Sequence, residues 1–284
     1  MEMKDLVYFT AVAKTQNIHK AAKEISISPG SLSKAITRLE NELKIKLFDR
    51  IGRNIKLTTE GKFLRVKANE ILNLEEKTRI DILGQIASFR AVIGAPEILL
   101  AYYGVEIAKK IKEKYPNAQI ELLEIDESKI ESKVKTGEIH LAITSKNITK
   151  NFDFKKIADI HFLTVVGKEH PLAKSGKKNV DVYKLLDHDF VTPKTSILGS
   201  TENIQSLDGW RDDKFPRKRI FLTSSLKTIE NLVSQGSAVA YLPDYMVNNN
   251  YKVLNVTGCP YTCNQKIRLV TKDKKMFGWL NNIF

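Results

Sequence analysis

The chain has 284 residues, 42% hydrophobic and 28% charged, with a formal net charge of +13. That length allows two or three domains with cores of their own, and the composition is that of an ordinary soluble globular protein. The positive excess suits a polyanionic partner and is denser near the start: 17 Lys or Arg face 11 Asp or Glu in residues 1–90, against 29 and 22 in residues 91–284.

Met1-Glu2-Met3-Lys4-Asp5 is charged and leads straight into an amphipathic pattern, so no cleavable signal is expected. No apolar run approaches membrane-spanning length, and a cytoplasmic chain without a membrane partner follows. Leu6, Phe9, Val12 and Ala13 predict a helix over about 4–14. Asn17 caps a second helix carrying Ala21, Ala22 and Ile25 on one face. After a break at Ser26-Ile27, Ser28 caps a third, with Pro29 at its first position, where a missing N–H costs nothing. On that third helix Leu32, Ile36, Leu39 and Leu43 share one face. Ser31, Ser33, Lys34, Thr37 and Arg38 lie on the flanks and far side. Two helices joined by a short turn, the second apolar inside and hydroxyl-plus-basic outside, read as a helix-turn-helix; an ordinary helical hairpin with a solvated face is the alternative.

Leu47 and Phe48 are apolar plugs, and a turn at Gly52 among Arg50, Arg53 and Lys56 predicts a β-hairpin wing with a basic tip and sides. Such a wing lets one domain reach both a groove and the flanking backbone. Thr58 or Thr59 caps a long helix running to about Ile86. Its apolar patches, Leu64, Ala68, Ile71 and Leu72 and then Ile80, Leu83 and Ile86, need a partner surface, and a second copy of the same helix is the simplest one.

From Phe89 strands and helices alternate. Strands are expected at Ala91–Ile93, Gln119–Glu124, Ile139–Ile143, His161–Gly167, Asp189–Thr192, Ile220–Thr223, Ala238–Leu242 and Ile267–Val270. Helices are expected at about 97–115, 127–136, 180–186 and 226–235 and at the C-terminus. This is an α/β unit with a mainly parallel sheet, in which ligands bind at the carboxyl ends of strands. The hydroxyls at those ends are Thr144, Ser145, Thr192, Thr195, Thr223 and Ser224, several of which also suit helix caps. No P-loop, G-x-S-x-G or post-strand GxGxxG occurs. His19, His140, His161, His170 and His188 are scattered and read as surface or loop residues, so neither catalytic nor metal-binding residues are expected. Cys259 and Cys263 lack a second Cys/His pair and are expected to be reduced, with a regulatory disulfide as the alternative.

The run of Leu6, Phe9, Ala21-Ala22, Ser28, Ser33, Ile36, Leu39-Glu40, Leu43, Leu47-Phe48, Arg50, Leu57-Thr58 and Gly61 resembles the N-terminal signature of LysR-type transcriptional regulators. A weaker likeness continues through Ile93-Gly94, Tyr115-Pro116, Gly137, Leu141-Ala142-Ile143, His170-Pro171-Leu172 and Leu242-Pro243. The resemblance implies a winged helix-turn-helix over 1–59, a dimerising linker helix over 60–88 and an effector-binding domain over 89–284 similar to type 2 periplasmic binding proteins. The two lobes of that domain would be about 91–162 plus 267–284, and about 163–266. It further implies a homodimer or homotetramer that bends promoter DNA, RNA polymerase as a further partner, and a small-molecule co-inducer in place of any cofactor. An architectural DNA binder without an effector is the competing function, and it leaves the second half of the chain without a task. Three positions depart from the family pattern. Pro29-Gly30 stands where Gln-Pro is usual, Lys44 where glycine is usual, and Ile98-Leu99 where polar residues are usual.

The expected DNA-contacting set is therefore Ser28, Pro29, Gly30, Ser31, Ser33, Lys34, Thr37, Arg38, Arg53 and Lys56, on an interrupted palindrome. Leu64, Ala68, Ile71 and Leu72 are the expected dimer contacts. Pro96, Glu97 and Ile98 with the six strand-end hydroxyls are the expected effector site. Helix N-termini and hydroxyl donors favour an anion, so a carboxylate with an apolar body is the expected effector.

Overall fold

The first three helices form where the apolar periodicity places them: α1 (Met3–Thr15), α2 (Ile18–Glu24) and α3 (Pro29–Leu43). In the computed structural model, which describes residues 1–51, 54–176, 179–194 and 208–284, each expected cap is made. The Asn17 side chain accepts the Lys20 amide at 3.0 Å and Ser28 Oγ accepts the Ser31 amide at 3.1 Å. Lys44 closes α3 in the left-handed conformation, φ 56°, which a glycine would adopt at lower cost. The hairpin strands β1 (Phe48–Ile51) and β2 (Asn54–Leu57) follow, antiparallel, with Phe48 opposite Leu57.

The helix α4 (Thr59–Leu83) starts under the Thr58 cap, whose Oγ1 accepts the Gly61 amide at 2.9 Å. A Cβ on Gly61 would meet the Leu47 carbonyl oxygen at 2.1 Å, so only glycine lets the helix approach the wing this closely. Leu6, Phe9, Ala21, Ala22, Leu32, Leu39, Leu47, Leu57 and Ala68 make one core for the N-terminal helices, the wing and the start of α4. Toward its other end α4 places Ile80 in the core of the second half.

That half begins with β3 (Arg90–Ala95), α5 (Glu97–Leu99), a π-helical stretch over Leu100–Gly104, and α6 (Val105–Lys114). Next come β4 (Gln119–Glu124), α7 (Ile130–Thr136), β5 (Leu141–Thr144), β6 (Asp153–Gly167) and α8 (Pro171–Lys174). After these lie β7 (Asn179–Asp181), α9 (Val182–Leu186), β8 (Asp189–Pro193), β9 (Lys218–Thr223) and α10 (Leu226–Ser234). The last strands are β10 (Ala240–Pro243), β11 (Tyr251–Thr257) and β12 (Asn264–Thr271). β3 runs parallel to β4 and β5, and β12 runs antiparallel to β5 and β6. β6 is the long element. Its first part, Asp153 to His161, pairs with β12, and its second part pairs antiparallel with β10 and β11. β8 and β9 form a parallel pair joined to β10 through Phe190 and Val239. The chain therefore makes two α/β lobes, one around β3, β4, β5 and β12 and the other around β8, β9, β10 and β11. β6 passes from the first to the second, and the segment before β12 returns.

The sequence pattern misses the first half of β6, the strands β7 and β11, and the start of β12. In β6 the reason is visible: Phe154, Lys155 and Lys156 are exposed on that stretch, so no apolar face marks it. Two of the histidines read as surface or loop residues are buried, His170 in the turn before α8 and His140 just before β5. His170 is 4% and His140 9% exposed. The His140 ring accepts the Val92 amide on Nδ1 at 3.3 Å and stacks on Phe277 at 4.6 Å, which a neutral imidazole can do inside a core. Burial lowers its pKa from 6.5 to about 4, with the Arg90 charge adding to the effect. Between those two values the unfolded chain holds a proton that the folded chain refuses, so stability falls as the pH drops from about 6.5 towards 4. His140→Asn, which keeps an acceptor but cannot titrate, should lose less stability than the wild type between pH 7 and pH 5 in urea denaturation. Equal losses would contradict this.

Candidate nucleic-acid interface and effector cleft

Leu32, Ile36 and Leu39 fix how α3 is rolled, because all three are buried against α1 and α2. The opposite face is left to solvent. Gly30, Ser33, Lys34, Thr37, Arg38, Asn41 and Glu42 line one shallow open groove of about 870 Å³ along it. Ser28, Pro29 and Ser31 cap its N-terminal end, and an added Cβ at Gly30 would meet nothing within 4 Å, so a partner can approach the backbone there. Lys34 and Thr37 are exposed, and Thr37 Oγ1 donates to the Ser33 carbonyl at 3.1 Å, which spends its proton and leaves it an acceptor. Asn41, which sequence reasoning did not single out, lies one helical turn beyond Thr37 in the same groove.

Arg38 has a second task. Its guanidinium donates to the Asp5 carboxylate, which is 3% exposed and also accepts the Glu2 amide at 2.9 Å. Burial works to raise the Asp5 carboxyl, but the Glu2 amide and Arg38 outweigh it and hold it below the ordinary aspartate value. Arg38 thus ties α3 to α1 from the edge of the groove, with most of its own surface still exposed. On the wing, Lys56 is exposed on β2; Arg53 falls outside the described residues. The wing is positioned by Glu40, a carboxylate 8% exposed, which accepts the Leu47 amide at 2.8 Å and the Phe48 amide at 3.2 Å and pairs with Lys46 at 3.0 Å.

Of the expected dimer contacts, one is closed off within the chain. Ala68 is fully buried, and Leu64 and Leu72 pack against the chain's own N-terminal core, because α4 lies on α1 and the wing. Only Ile71 of the four is exposed. Four of the outward apolar side chains of α4, Phe63, Ile71, Leu74 and Ile82, fall at helical spacing along one side, and Leu83 is exposed away from it.

The effector residues are also rearranged. Thr144 and Ser145 do stand together at the end of β5, but their donors are taken. Glu127 Oε1 accepts Thr144 Oγ1 at 2.8 Å, the Ser145 amide at 2.7 Å and Ser145 Oγ at 3.1 Å. A carboxylate of the chain's own occupies the place expected for an anionic ligand. Thr192 is 1% exposed and accepts Arg219 Nε at 3.3 Å, while Thr223 accepts the Ser225 amide at 3.1 Å. Thr192 and Thr223 lie at the carboxyl ends of the adjacent parallel strands β8 and β9, and Ser224 is exposed just beyond. Pro96 caps α5 and Glu97 points to solvent. Ile98 and Leu99 are buried in the main core and make no wall open to a ligand. Thr195 lies outside the described residues. Tyr102, Tyr103 and Tyr245, none of them expected, form a contiguous aromatic cluster between the lobes, with ring centroids 4.9–5.3 Å apart.

Among the described residues no group of three or more His, Cys, Asp or Glu is placed to hold a metal ion, and no helix is long and apolar enough to cross a membrane. Cys259 and Cys263 are both free thiols. Burial pushes the Cys263 thiol up to about 11, with Asp208 adding to the shift, so it is poorly suited to redox exchange.

Comparison with known proteins agrees with this geometry. Residues 3–62 match the family model of the bacterial regulatory helix-turn-helix protein, lysR family, and residues 88–274 match that of the LysR substrate binding domain. The second match gives the α/β half a task that an architectural DNA binder would not use. The chain is 27% identical over 255 residues to the Hca operon transcriptional activator HcaR of Escherichia coli (strain K12), covering 88% of this chain and 84% of that protein. Its fold is similar to a full-length OxyR variant from Pseudomonas aeruginosa, with a TM-score of 0.65, 21% identity and coverage of 100% and 92% of the two chains. It is similar too to full-length CbnR in complex with its target DNA, with a TM-score of 0.56, 16% identity and coverage of 99% and 98%.

The Glu40 latch gives a direct test of how the wing is held. Glu40→Ala leaves two amides without their acceptor and should cost about 1–3 kcal/mol, read from urea denaturation. Lys46→Ala removes only an exposed partner and should cost less than about 1 kcal/mol. Comparable losses in the two variants would show that the wing is held by packing alone.

Proposed function

The chain belongs to the LysR family, DNA-binding transcriptional regulators with an effector-binding domain, and from that premise we propose how its own residues do this work. A dimer binds an interrupted palindrome upstream of the genes it controls, with α3 of each protomer in the major groove and the wing against the flanking backbone. The observation that carries this is the division of α3: Leu32, Ile36 and Leu39 are buried, while Lys34, Thr37 and Asn41 share an open groove. Ser28, Ser31 and Ser33 approach phosphates, and Pro29-Gly30 brings the backbone close to the base edges in place of a side-chain contact. Arg38 reaches a phosphate from a position fixed by Asp5, and Lys56 meets the backbone from the wing. Wing residue Arg53 keeps that role by its place in the sequence.

Residues 1–59 are the DNA-binding unit, 60–88 the linker and 89–284 the effector domain. The dimer forms through the outward side of α4, with Phe63, Ile71, Leu74 and Ile82 meeting their counterparts, and dimers associate further into tetramers through the effector domains. A small molecule bound between the lobes alters promoter binding or bending and contact with RNA polymerase. The regulator works in the cytoplasm, with no cofactor and no catalysis of its own.

A mobility-shift assay on the DNA upstream of the gene, with random competitor, tests the reading. Preferential retention of the upstream fragment is expected, and equal affinity for random DNA would overturn it. Lys34→Ala should lose about 1–3 kcal/mol and relax preference at particular bases. Lys56→Ala should weaken all sequences alike and lower the salt slope by about one. Swapped behaviour of the two variants would reverse the roles of α3 and the wing.

A further inference from the structure

Two carboxylates reach the region between the lobes, and each is held by neutral donors. Glu127 is 7% exposed and enters from the first lobe, just after β4. Its Oε1 takes three hydrogen bonds, whereas Oε2 has only Ser145 Oγ at 3.2 Å. Asp244 enters from the second lobe, just after β10. It accepts the Tyr245 amide at 2.8 Å and, from the crossing strand β6, the His161 amide at 3.2 Å. Among the described residues no ion pair involves either carboxylate. Arg268 donates to the carbonyls of Ser145, Lys146 and Lys266 and to the Asn147 side chain, and pairs with neither carboxylate.

Three aromatic rings span the same region. Tyr102 and Tyr103 come from the first lobe, and Tyr245 follows β10 of the second. The Tyr245 hydroxyl is buried and has no hydrogen-bond partner among the described residues. Burial raises its pKa well above 10, with Tyr103, Asp244 and Glu127 adding to the effect, so the phenol stays neutral in the field of both carboxylates. Tyr102 is 41% exposed and leaves one ring of the cluster open to solvent.

A buried carboxylate held only by neutral donors, whose field reaches a buried hydroxyl without a partner in a tyrosine cluster, matches a cation and repels an anion. We infer that the effector carries a protonated amine or amidine, bound at Glu127 against the faces of Tyr102, Tyr103 and Tyr245. This deepens the effector-binding reading given above and rests on it. The ammonium donates to Glu127 Oε2, and the Tyr245 hydroxyl completes its contacts. The donors of Thr144 and Ser145 hold Glu127 in place and do not touch the ligand. A carboxylate effector would be driven against Glu127, which is why the anion expected from strand-end hydroxyls does not fit.

The test is thermal denaturation of the full-length protein with tyramine, putrescine and agmatine, set against 4-hydroxyphenylacetate and succinate as carboxylate counterparts. At least one amine should raise the melting temperature saturably, and the carboxylates should not. Glu127→Gln keeps the acceptor for Thr144 and should weaken the stabilising amine by about tenfold or more, as expected for losing a charge-assisted hydrogen bond. Tyr245→Phe removes only the buried hydroxyl, should melt like the wild type without probe, and should also bind the amine more weakly. No response to any amine, a larger response to a carboxylate, or wild-type amine affinity in both variants would overturn the inference. A mobility shift on the upstream DNA, run without probe, keeps the two ideas apart: its failure would sink the regulator reading while the melting data judge the ligand class.

Discussion

One helix sets the constraint that everything else obeys. α4 is buried at both ends in different cores, through Ala68 with the winged domain and through Ile80 with the first α/β lobe. A helix of 25 residues spans roughly 37 Å, so it can serve as a rigid spacer. It is also latched along its length. Arg65 pairs with Glu138 at 3.5 Å, the Asn69 side chain donates to the Thr136 carbonyl, Glu70 pairs with Lys272 at 2.7 Å, and Lys77 donates to the Lys275 carbonyl at 2.7 Å. These contacts all go to the first lobe or the C-terminal segment beside it. The winged domain, α4 and the first lobe are therefore one connected body, and the second lobe joins it through β6 and the segment before β12.

Much of the N-terminal half can be read from sequence because its determinants are local. Asn17, Ser28 and Thr58 cap the helices they precede, and a side-chain oxygen bonding an amide three residues on is visible in any window of four. The apolar face of α3 follows from period alone. What the sequence hides is pairing at a distance. Glu127 and Thr144 are seventeen residues apart, and only the fold shows that the first cancels the donors of the second. Asp5 and Arg38 are likewise thirty-three residues apart, so Arg38 looks like a DNA contact alone until its partner is seen. α4 misleads in another way. Leu64, Ala68 and Leu72 form the better apolar stripe, and they serve the chain's own core, while the weaker stripe of Phe63, Ile71, Leu74 and Ile82 faces out.

The two functional regions have opposite electrostatic character. The α3 groove offers Lys34, Arg38, hydroxyls and an amide to a polyanion, with Asp5 and the N-terminal amine drawing Arg38 and Glu42 into local pairs. Between the lobes, Glu127 and Asp244 are held by neutral donors near a cluster of tyrosine rings. The chain's net charge of +13 thus speaks for the DNA partner and says nothing about the small molecule. Charge has to be read site by site, because a few buried groups decide what a cleft accepts.

The central claim is that paired α3 helices read two half-sites in the DNA upstream of the gene. Hydroxyl-radical footprinting with the full-length protein tests it most directly. Two protected patches on one face of the duplex, separated by one helical turn or a whole number of turns, are predicted, with Lys34→Ala weakening both together. Protection that is uniform along the fragment, or confined to a single patch, would contradict the account.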